Sequence, residues 1–145
     1  MINLYSIGFT KKSAREFFFL LKTSAVKTLL DVRLNTSSQL AGFAKKEDLA
    51  FFLSEIAHCA YRQLPQFAPT REILNGYHEK KITWPEYEIL FKQLLEERHP
   101  ERTITASELD NACLLCAEPT PDKCHRRLVA EYLKSYFPEI EIKHL

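Results

Sequence analysis

The stretch CLLCAEPTPDKCHRRLVAEYL, residues 113–133, combines a strand pattern with a helix pattern, and this alternation of strand and helix recurs along the chain. A short apolar run ends at Cys116 and Ala117, and two prolines then shape a turn. Cys124 begins a helix in the region 121–136, whose apolar residues recur every three to four positions: Leu128, Val129, Tyr132, Leu133 and Tyr136. A continuous apolar strand followed by an amphipathic helix is typical of sheets covered by helices on both faces. The stretch predicts an α/β fold.

The same alternation extends to both ends of the chain. Ile2 to Ile7 and Val26 to Arg33 are apolar runs typical of buried parallel strands, and a helix capped by Ser13 lies between them. A long polar loop at 34–46, a helix at 47–58 and a weaker strand at 61–64 follow, and Ile140 and Ile142 alternate in a last strand. We expect a mainly parallel sheet of about four to five strands with helices on both faces.

A helical hairpin interrupts this order after the third strand. Leu74 and Tyr77 lie on its first helix, and the second has an apolar stripe at helical spacing: Trp84, Tyr87, Phe91, Leu94 and Leu95. We interpret the stripe as core rather than as a cofactor site. Among the aromatic residues Tyr61, Phe67 and Tyr77, stacking on a base is the alternative to core packing.

Composition bounds the domain count and the partners. The chain has 145 residues and 46% hydrophobic content, without a compositional shift that marks a linker, so we predict one domain over residues 1–145. Lys and Arg total 20 against 19 Asp and Glu, which leaves a formal charge of +1. Binding to a nucleic acid would therefore require a local basic patch.

The four cysteines and the N-terminus predict a cytoplasmic location. Cys59, Cys113, Cys116 and Cys124 are too few for a secreted disulfide scaffold, so free thiols are the default. The first eight residues are too short and polar for the apolar part of a signal peptide. No apolar run approaches the length that spans a bilayer, and we expect no membrane partner.

Residues able to carry chemistry gather at the turn between Cys116 and Arg126. The free amides of the first helical turn favour an anion, and Arg126 can add a forked pair of hydrogen bonds. The helix N-terminus is expected to lower the pKa of Cys124, a candidate nucleophile or redox thiol. His125 is a candidate acid or base, and Glu118 a candidate base. The structural alternatives are a small buried Cys124, a capping His125 and a salt bridge between Glu118 and Arg126.

A second group of candidates follows the second strand. Asp31 and Arg33 are two residues apart, so their side chains share one face of a strand and can pair with each other. If that face meets the crevice beyond the carboxyl ends of the strands, Arg33 is a second anion ligand. Otherwise the two residues form a structural ion pair. Ser37, in the loop that follows, is a further candidate ligand-binding residue.

The spacing of the cysteines also suggests a metal site, which we considered and set aside. Cys113, Cys116, Cys124 and His125 offer four zinc-type ligands within 13 residues. On one strand, however, positions 113 and 116 have opposite parity, so their side chains project to opposite faces. We therefore expect no metal and no cofactor. A permanent disulfide between Cys116 and Cys124 is disfavoured by a reducing compartment.

Residues 113–133 resemble the signature of the DUF488 family of uncharacterised proteins. The resemblance extends more loosely to Ile7-Gly8, Asp31-Val32-Arg33, Phe43, Phe67-Ala68-Pro69 and Trp84-x-x-Tyr87. It implies a compact α/β domain and a set of site residues: Asp31, Arg33, Cys116, Glu118, Cys124, His125 and Arg126. The chain departs from the family where Phe9 replaces a frequent His, and where the loop after Arg33 lacks a frequent proline. The resemblance implies no established reaction.

Three functions fit these residues. The first is an enzyme that holds a phosphate-bearing small molecule or nucleotide with Arg126 and the helix amides, and acts on it with Cys124, His125 or Glu118. The second is a non-catalytic module that binds a nucleic acid or a nucleotide at the same anion site. The third treats the cluster as a hydrogen-bonded lock between strand and helix. The meeting of reactive side chains at a helix start favours the first.

Overall fold

A computed structural model describes residues 1–36 and 42–145. Its five strands are β1 Ile2–Gly8, β2 Thr28–Asp31, β3 Ala60–Gln63, β4 Ala112–Cys116 and β5 Ile140–His144. Its α-helices are α1 Ala14–Thr23, α2 Lys46–Phe52, α3 Arg71–His78, α4 Trp84–Arg98, α5 Ala106–Leu109 and α6 His125–Tyr136. The described residues therefore alternate strands and helices in the expected order.

The strands form one sheet with the order β3-β2-β4-β1-β5, and every neighbouring pair is parallel. Strand β4 lies between β2 and β1, with Leu115 opposite both Asp31 and Ile7. The chain leaves β2 toward β3 and leaves β4 toward β5, so the connections of these two adjacent strands run in opposite directions. Ligand crevices in open parallel sheets form at such a point, outside the carboxyl ends of the strands.

Two hydrophobic cores cover the two faces of the sheet. One contains apolar side chains of α4 and α6, such as Phe91 and Leu128, packed on Leu30 and Leu114. The other contains apolar side chains of α1 and α2, packed on a second set of strand residues: Ile7, Leu29, Cys113 and Leu115. This arrangement confirms the predicted α/β sheet with helices on both faces. Cys113 belongs to the second core, as strand alternation requires.

The helix ends explain where the elements begin. Ser13, Thr70 and Thr83 are N-cap residues whose side-chain oxygens accept from backbone amides of α1, α3 and α4. Helix α6 begins at His125, four residues after Pro121, with Cys124 as its N-cap residue and without a side-chain capping bond. The residues from Pro121 to Cys124 thus belong to the turn rather than to the helix.

The helical hairpin consists of α3 and α4 and lies between β3 and β4. Its aromatic side chains form a stack in which the Trp84 and Tyr87 rings are 4.8 Å apart and nearly parallel. The polar stretch after the hairpin, expected to be a plain connection, contains the 3-10 turn Pro100–Thr103 and the short helix α5. Within the described ranges, no helix combines the length and apolarity that crossing a membrane requires.

Candidate functional site

A cavity of about 310 Å³ lies at the carboxyl edge of the sheet, under the helical hairpin. Its volume is typical of small-molecule sites. The floor is formed by residues that follow β1, β2 and β4 and by the start of α6, and the opposite wall by the hairpin. The lining includes Phe9, Thr10, Arg33, Tyr77, Trp84, Tyr87, Cys116, Glu118, Lys123, Cys124 and His125. The cavity thus occupies the crevice that the topology predicts.

Arg33 is held at the cavity by a buried carboxylate. Its Nε and Nη2 donate to Asp31 at 2.9 and 2.8 Å, and its backbone amide donates to the same carboxylate. Tyr61 donates its hydroxyl to Asp31 as well. Burial opposes the charge of Arg33, but the hydrogen bonds and charge of Asp31 prevail and raise the pKa of the guanidinium. Asp31 therefore positions Arg33, and its own oxygens are occupied.

One guanidinium nitrogen of Arg33 has no hydrogen-bond partner within residues 1–36 and 42–145. The side chain is only 4% exposed, and its guanidinium carbon lies 5.3 Å from the centre of the Phe9 ring. Among the described residues, nothing accepts a hydrogen bond from its Nη1. Since a buried donor without an acceptor costs about 1–3 kcal/mol, this atom marks a place where an acceptor belongs. Arg33 forms the structural ion pair with Asp31 and also lines the cavity, so its role as an anion ligand stays a prediction.

Cys116, Cys124 and His125 meet at the floor of the cavity. The potential ligand atoms of the three side chains all lie within 4.8 Å of one another, and all three residues are buried. The Sγ of Cys116 is 3.3 Å from Nδ1 of His125. The Nε2 of His125 lies 2.6 Å from the carbonyl oxygen of Val32 and donates to it. His125 is thus oriented by the backbone after β2, and its Nδ1 is left as an acceptor.

The two thiols of this cluster differ in acidity. A hydrogen bond with Cys124 lowers the pKa of Cys116, burial opposes the shift, and Arg126 favours it. Burial raises the pKa of Cys124, and the neighbouring Cys116 adds to that effect. The expected lowering of the pKa of Cys124 is therefore wrong, because the thiol at the helix start is desolvated and hydrogen-bonded to Cys116. The lowered pKa belongs to Cys116 instead.

Arg126 lies behind the cavity and locks the turn. Its Nε donates to Ser6 at 3.1 Å, and its Nη1 donates to the backbone carbonyl of Glu118 at 2.6 Å. The side chain is fully buried. Arg126 thus bonds the backbone of Glu118 and not its carboxylate. Glu118 is an exposed residue and lines the cavity. Among the described residues, the salt bridge with Glu118 that was the structural alternative does not form. Arg126 instead holds the turn through the backbone carbonyl of Glu118 and is not part of the cavity lining, where the predicted anion would bind.

Gly8 was named in the sequence analysis only as part of the family resemblance, without the packing role that the structure shows. A Cβ atom on Gly8 would lie 1.6 Å from the carbonyl oxygen of Glu118. Next to it, the amide and the hydroxyl of Thr10 both donate to the carbonyl of Ala117. These contacts join the end of β1 to the turn after β4. The signal was a glycine at the carboxyl end of a strand, where close backbone approach requires the absence of a side chain.

The structure places the predicted residues in three groups. Five of them line the cavity: Arg33, Cys116, Glu118, Cys124 and His125. Asp31 and Arg126 support the site from behind, and Ser37 lies outside the described residues. The hairpin stripe belongs to the core as expected, yet Trp84 and Tyr87 also form the cavity wall, together with Tyr77. Only the packing of the hairpin over the sheet edge brings these rings to the site.

The model of the family described as "Domain of unknown function DUF488" matches residues 13–133. The chain belongs to the DUF488 family. The matched residues include Asp31, Arg33 and the whole turn from Cys116 to Arg126, whereas β1 with Gly8 lies outside them. No curated protein matches the chain, and no solved structure does. The family match thus covers the site residues that follow β2 and those of the turn between β4 and α6. Since the family has no assigned function, the function has to be argued from the geometry of the site.

Proposed function

We propose that this chain is an enzyme that binds an anionic small molecule bearing a ring, with a nucleotide as the best-fitting class, in the cavity at the carboxyl edge of the sheet. The observation that carries the proposal is that Arg33 lines the cavity while its Nη1 finds no acceptor among the described residues. An anionic oxygen at this position would complete the hydrogen bonding of the guanidinium. Charge-assisted hydrogen bonds of this kind are about twice as strong as neutral ones.

The groups near Arg33 also favour an anion. Lys123 lines the same cavity on the turn before α6. The first turn of α6 contributes the positive end of a helix dipole, and Cys124 forms no side-chain capping bond to the amides of that turn. The exposed carboxylate of Glu118 is the opposing charge at the cavity. A ligand with a phosphate near Arg33 and polar groups near Glu118 would satisfy both.

The aromatic wall favours a ring next to the anion. The Trp84 and Tyr87 rings are stacked at 4.8 Å, and the Tyr77 ring lies 5.4 Å from Trp84. Stacking on an aromatic side chain contributes about 1–3 kcal/mol per base in nucleic-acid sites. A phosphate near Arg33 and a base against Trp84 together describe a mononucleotide, which fits a cavity of about 310 Å³ better than a polymer does.

Reacting groups are available at the floor of the same cavity. Cys116, Cys124 and His125 form a hydrogen-bonded cluster, and Glu118 stands at its edge. We propose that Cys124, His125 and Glu118, as the sequence suggests, together with Cys116, supply the nucleophilic or proton-transferring groups. The cysteines of the described ranges are free thiols, which suits the cytoplasm as the proposed location.

Trp84 provides the test, because it is the one tryptophan of the chain and lines the cavity. Nucleoside monophosphates, titrated into the protein at low salt, are expected to change the tryptophan fluorescence with a saturable curve. Arg33→Gln is expected to weaken this binding at least about tenfold, since one charge-assisted bond to an ion is worth about 1.5–3 kcal/mol. If Arg33→Gln does not fold, the affinity of Lys123→Gln is measured in its place, because Lys123 lies on an exposed turn that lines the cavity.

Arg71→Gln is the matched control, because it removes a positive charge from an exposed residue outside the cavity. It is expected to leave the affinity unchanged. Absence of saturable binding by any nucleoside monophosphate would overturn the proposal, as would unchanged affinity in both cavity variants. Tighter binding of single-stranded oligonucleotides than of mononucleotides, with a steep salt dependence, would replace the enzyme by the nucleic-acid module.

A further inference from the structure

We infer that Cys116, Cys124 and His125 form a zinc site at the floor of the cavity. The inference changes the role that the proposed function gives this cluster: with zinc bound, the three side chains act as ligands, and Glu118 remains the proton-transferring group. Its support is independent of any nucleotide. The sequence argued against a four-ligand set and predicted no metal, and Cys113 is indeed packed in the core on the other face of the sheet. The remaining three residues are brought together by the end of β4 and the start of α6.

The distances fit a tetrahedral ion. Zn–S bonds of about 2.3 Å and Zn–N bonds of about 2.0 Å imply a sulfur–nitrogen edge of about 3.5 Å and a sulfur–sulfur edge of about 3.8 Å. The Sγ of Cys116 lies 3.3 Å from Nδ1 of His125, and no pair of ligand atoms in the cluster exceeds 4.8 Å. A shift of at most about 1.3 Å in any pair therefore completes the three-ligand geometry.

The hydrogen bonding of His125 prepares it for a metal. Its Nε2 donates to the carbonyl of Val32, so the proton of the neutral ring belongs on Nε2 and the lone pair of Nδ1 points toward Cys116. Metal-binding histidines commonly donate their second nitrogen to a carbonyl or carboxylate in this way. The backbone after β2 therefore fixes both the tautomer and the direction of the ligand atom.

The charge balance also suits zinc. Two cysteine side chains lose their protons when they bind the ion, so a Zn²⁺ with two thiolates and a neutral imidazole carries no net charge. The neighbouring Arg126 would oppose a bare cation but not this neutral group. Two thiolates and one imidazole are also the soft ligand set that zinc accepts, whereas magnesium and calcium prefer oxygen.

The fourth position of the tetrahedron faces the ligand site. All three residues line the same cavity as Arg33. Catalytic zinc sites have three protein ligands and leave one position to water or substrate, whereas structural sites use four protein ligands. The set of two cysteines and one histidine therefore indicates a site that presents zinc to the bound anion.

Cobalt substitution tests the inference on the full chain. Reduced, chelator-treated protein, titrated with Co²⁺ alone under anaerobic conditions, is expected to bind one equivalent with a thiolate-to-cobalt charge-transfer band and the visible bands of a tetrahedral ion. Zn²⁺ is expected to displace Co²⁺ from the protein. Cys116→Ser, Cys124→Ser and His125→Asn are each expected to weaken Co²⁺ binding at least about tenfold, a loss typical of removing a ligand or its support.

Cys113→Ser is the matched control, since it alters a buried thiol on the same strand and the opposite face. It is expected to leave the cobalt spectrum unchanged. The inference is overturned if the wild-type protein gives no charge-transfer band, if Cys113→Ser removes the band as fully as Cys116→Ser does, or if the two thiols only oxidise to a disulfide. Because nucleotide is absent, this result is separate from the tryptophan titration of the proposed function.

Discussion

Two arginines are buried at the carboxyl edge of this sheet, and their surroundings differ. Arg33 is paired with the carboxylate of Asp31 and lines the cavity. Arg126 donates to a hydroxyl and a backbone carbonyl, has no carboxylate within 4.0 Å in the described ranges, and is not part of the cavity lining. Each guanidinium retains one nitrogen without an acceptor among the described residues, so this feature does not separate the two. The comparison teaches that burial and residue type alone do not distinguish a residue that lines the cavity from one that holds a turn.

The ion pair at Arg33 can be tested by removing its charges. Arg33→Met is expected to lower the free energy of unfolding by about 3–5 kcal/mol, because it leaves the buried carboxylate of Asp31 uncompensated. Urea denaturation followed by circular dichroism measures this change. The double variant Asp31→Asn with Arg33→Met is expected to recover part of the loss, because no buried charge remains. A loss below about 1 kcal/mol in the single variant would contradict the pairing seen at the cavity.

The backbone contact that defines the Arg126 region can be broken from the opposite side. Gly8→Ala is expected to lower the free energy of unfolding by about 3 kcal/mol, because its Cβ would overlap the carbonyl of Glu118, the acceptor of Arg126. Gly76→Ala is the control. Gly76 lies within α3, where alanine is more favourable than glycine, and the added Cβ would lie at an ordinary distance of 3.6 Å from the side chain of Ile82. Equal unfolding midpoints for both variants would show that the turn is not held by this contact.

Arg126→Met is expected to have a smaller effect than Arg33→Met, about 1–3 kcal/mol. It removes the donor to Ser6 and to Glu118 and retains most of the buried volume, but it leaves no buried carboxylate without a partner. Urea denaturation of both variants under the same conditions provides the comparison. A larger loss of stability in Arg126→Met than in Arg33→Met would contradict this expectation, because it would show that the charge of Arg126 also has a buried partner.

The smallest expected effect concerns pH. Ser6 links Arg126 to His144, whose pKa is lowered by burial and by Arg126, with Arg127 acting in the same direction and Glu131 in the opposite one. The folded state therefore binds this proton less readily than the unfolded chain. The contribution to stability is present above the ordinary pKa of histidine, about 6.5, and is lost as the pH falls below it.

His144→Asn measures this contribution. The urea midpoint of the wild-type protein is expected to fall between neutral and mildly acidic pH by more than that of the variant. All other titrating groups are shared by the two proteins, so the difference isolates His144. Equal falls in the two midpoints would show that His144 titrates as it does in the unfolded chain.

Local patterns were enough to predict the elements of the fold and part of the site. The apolar runs predicted the strands, the apolar spacing predicted α4 and α6, and the prolines predicted the turn between β4 and α6. The chain order of strands and helices predicted a parallel sheet, and a parallel sheet predicts a ligand crevice at its carboxyl edge. The same reasoning brought Cys116, Cys124 and His125 to one place, because they flank a single short turn.

The roles of the arginines and thiols were decided at longer range. Arg126 is 120 residues from Ser6 in the chain, and His125 is 93 residues from Val32, so these partners depend on the insertion of β4 between β1 and β2. The pKa of Cys124 depends on how deeply the turn is buried, which local spacing does not express. The aromatic cavity wall depends on how the hairpin packs over the sheet edge.

The sequence by itself therefore determined the α/β class, the order of the elements, the reactive turn and the family. Only the tertiary structure decided the strand order, the closeness of Gly8 to the turn, and which of two arginines meets the cavity. The physical reason is that hydrophobic periodicity and turn chemistry act between neighbours in the chain. Hydrogen bonding, desolvation and backbone contact act between neighbours in space.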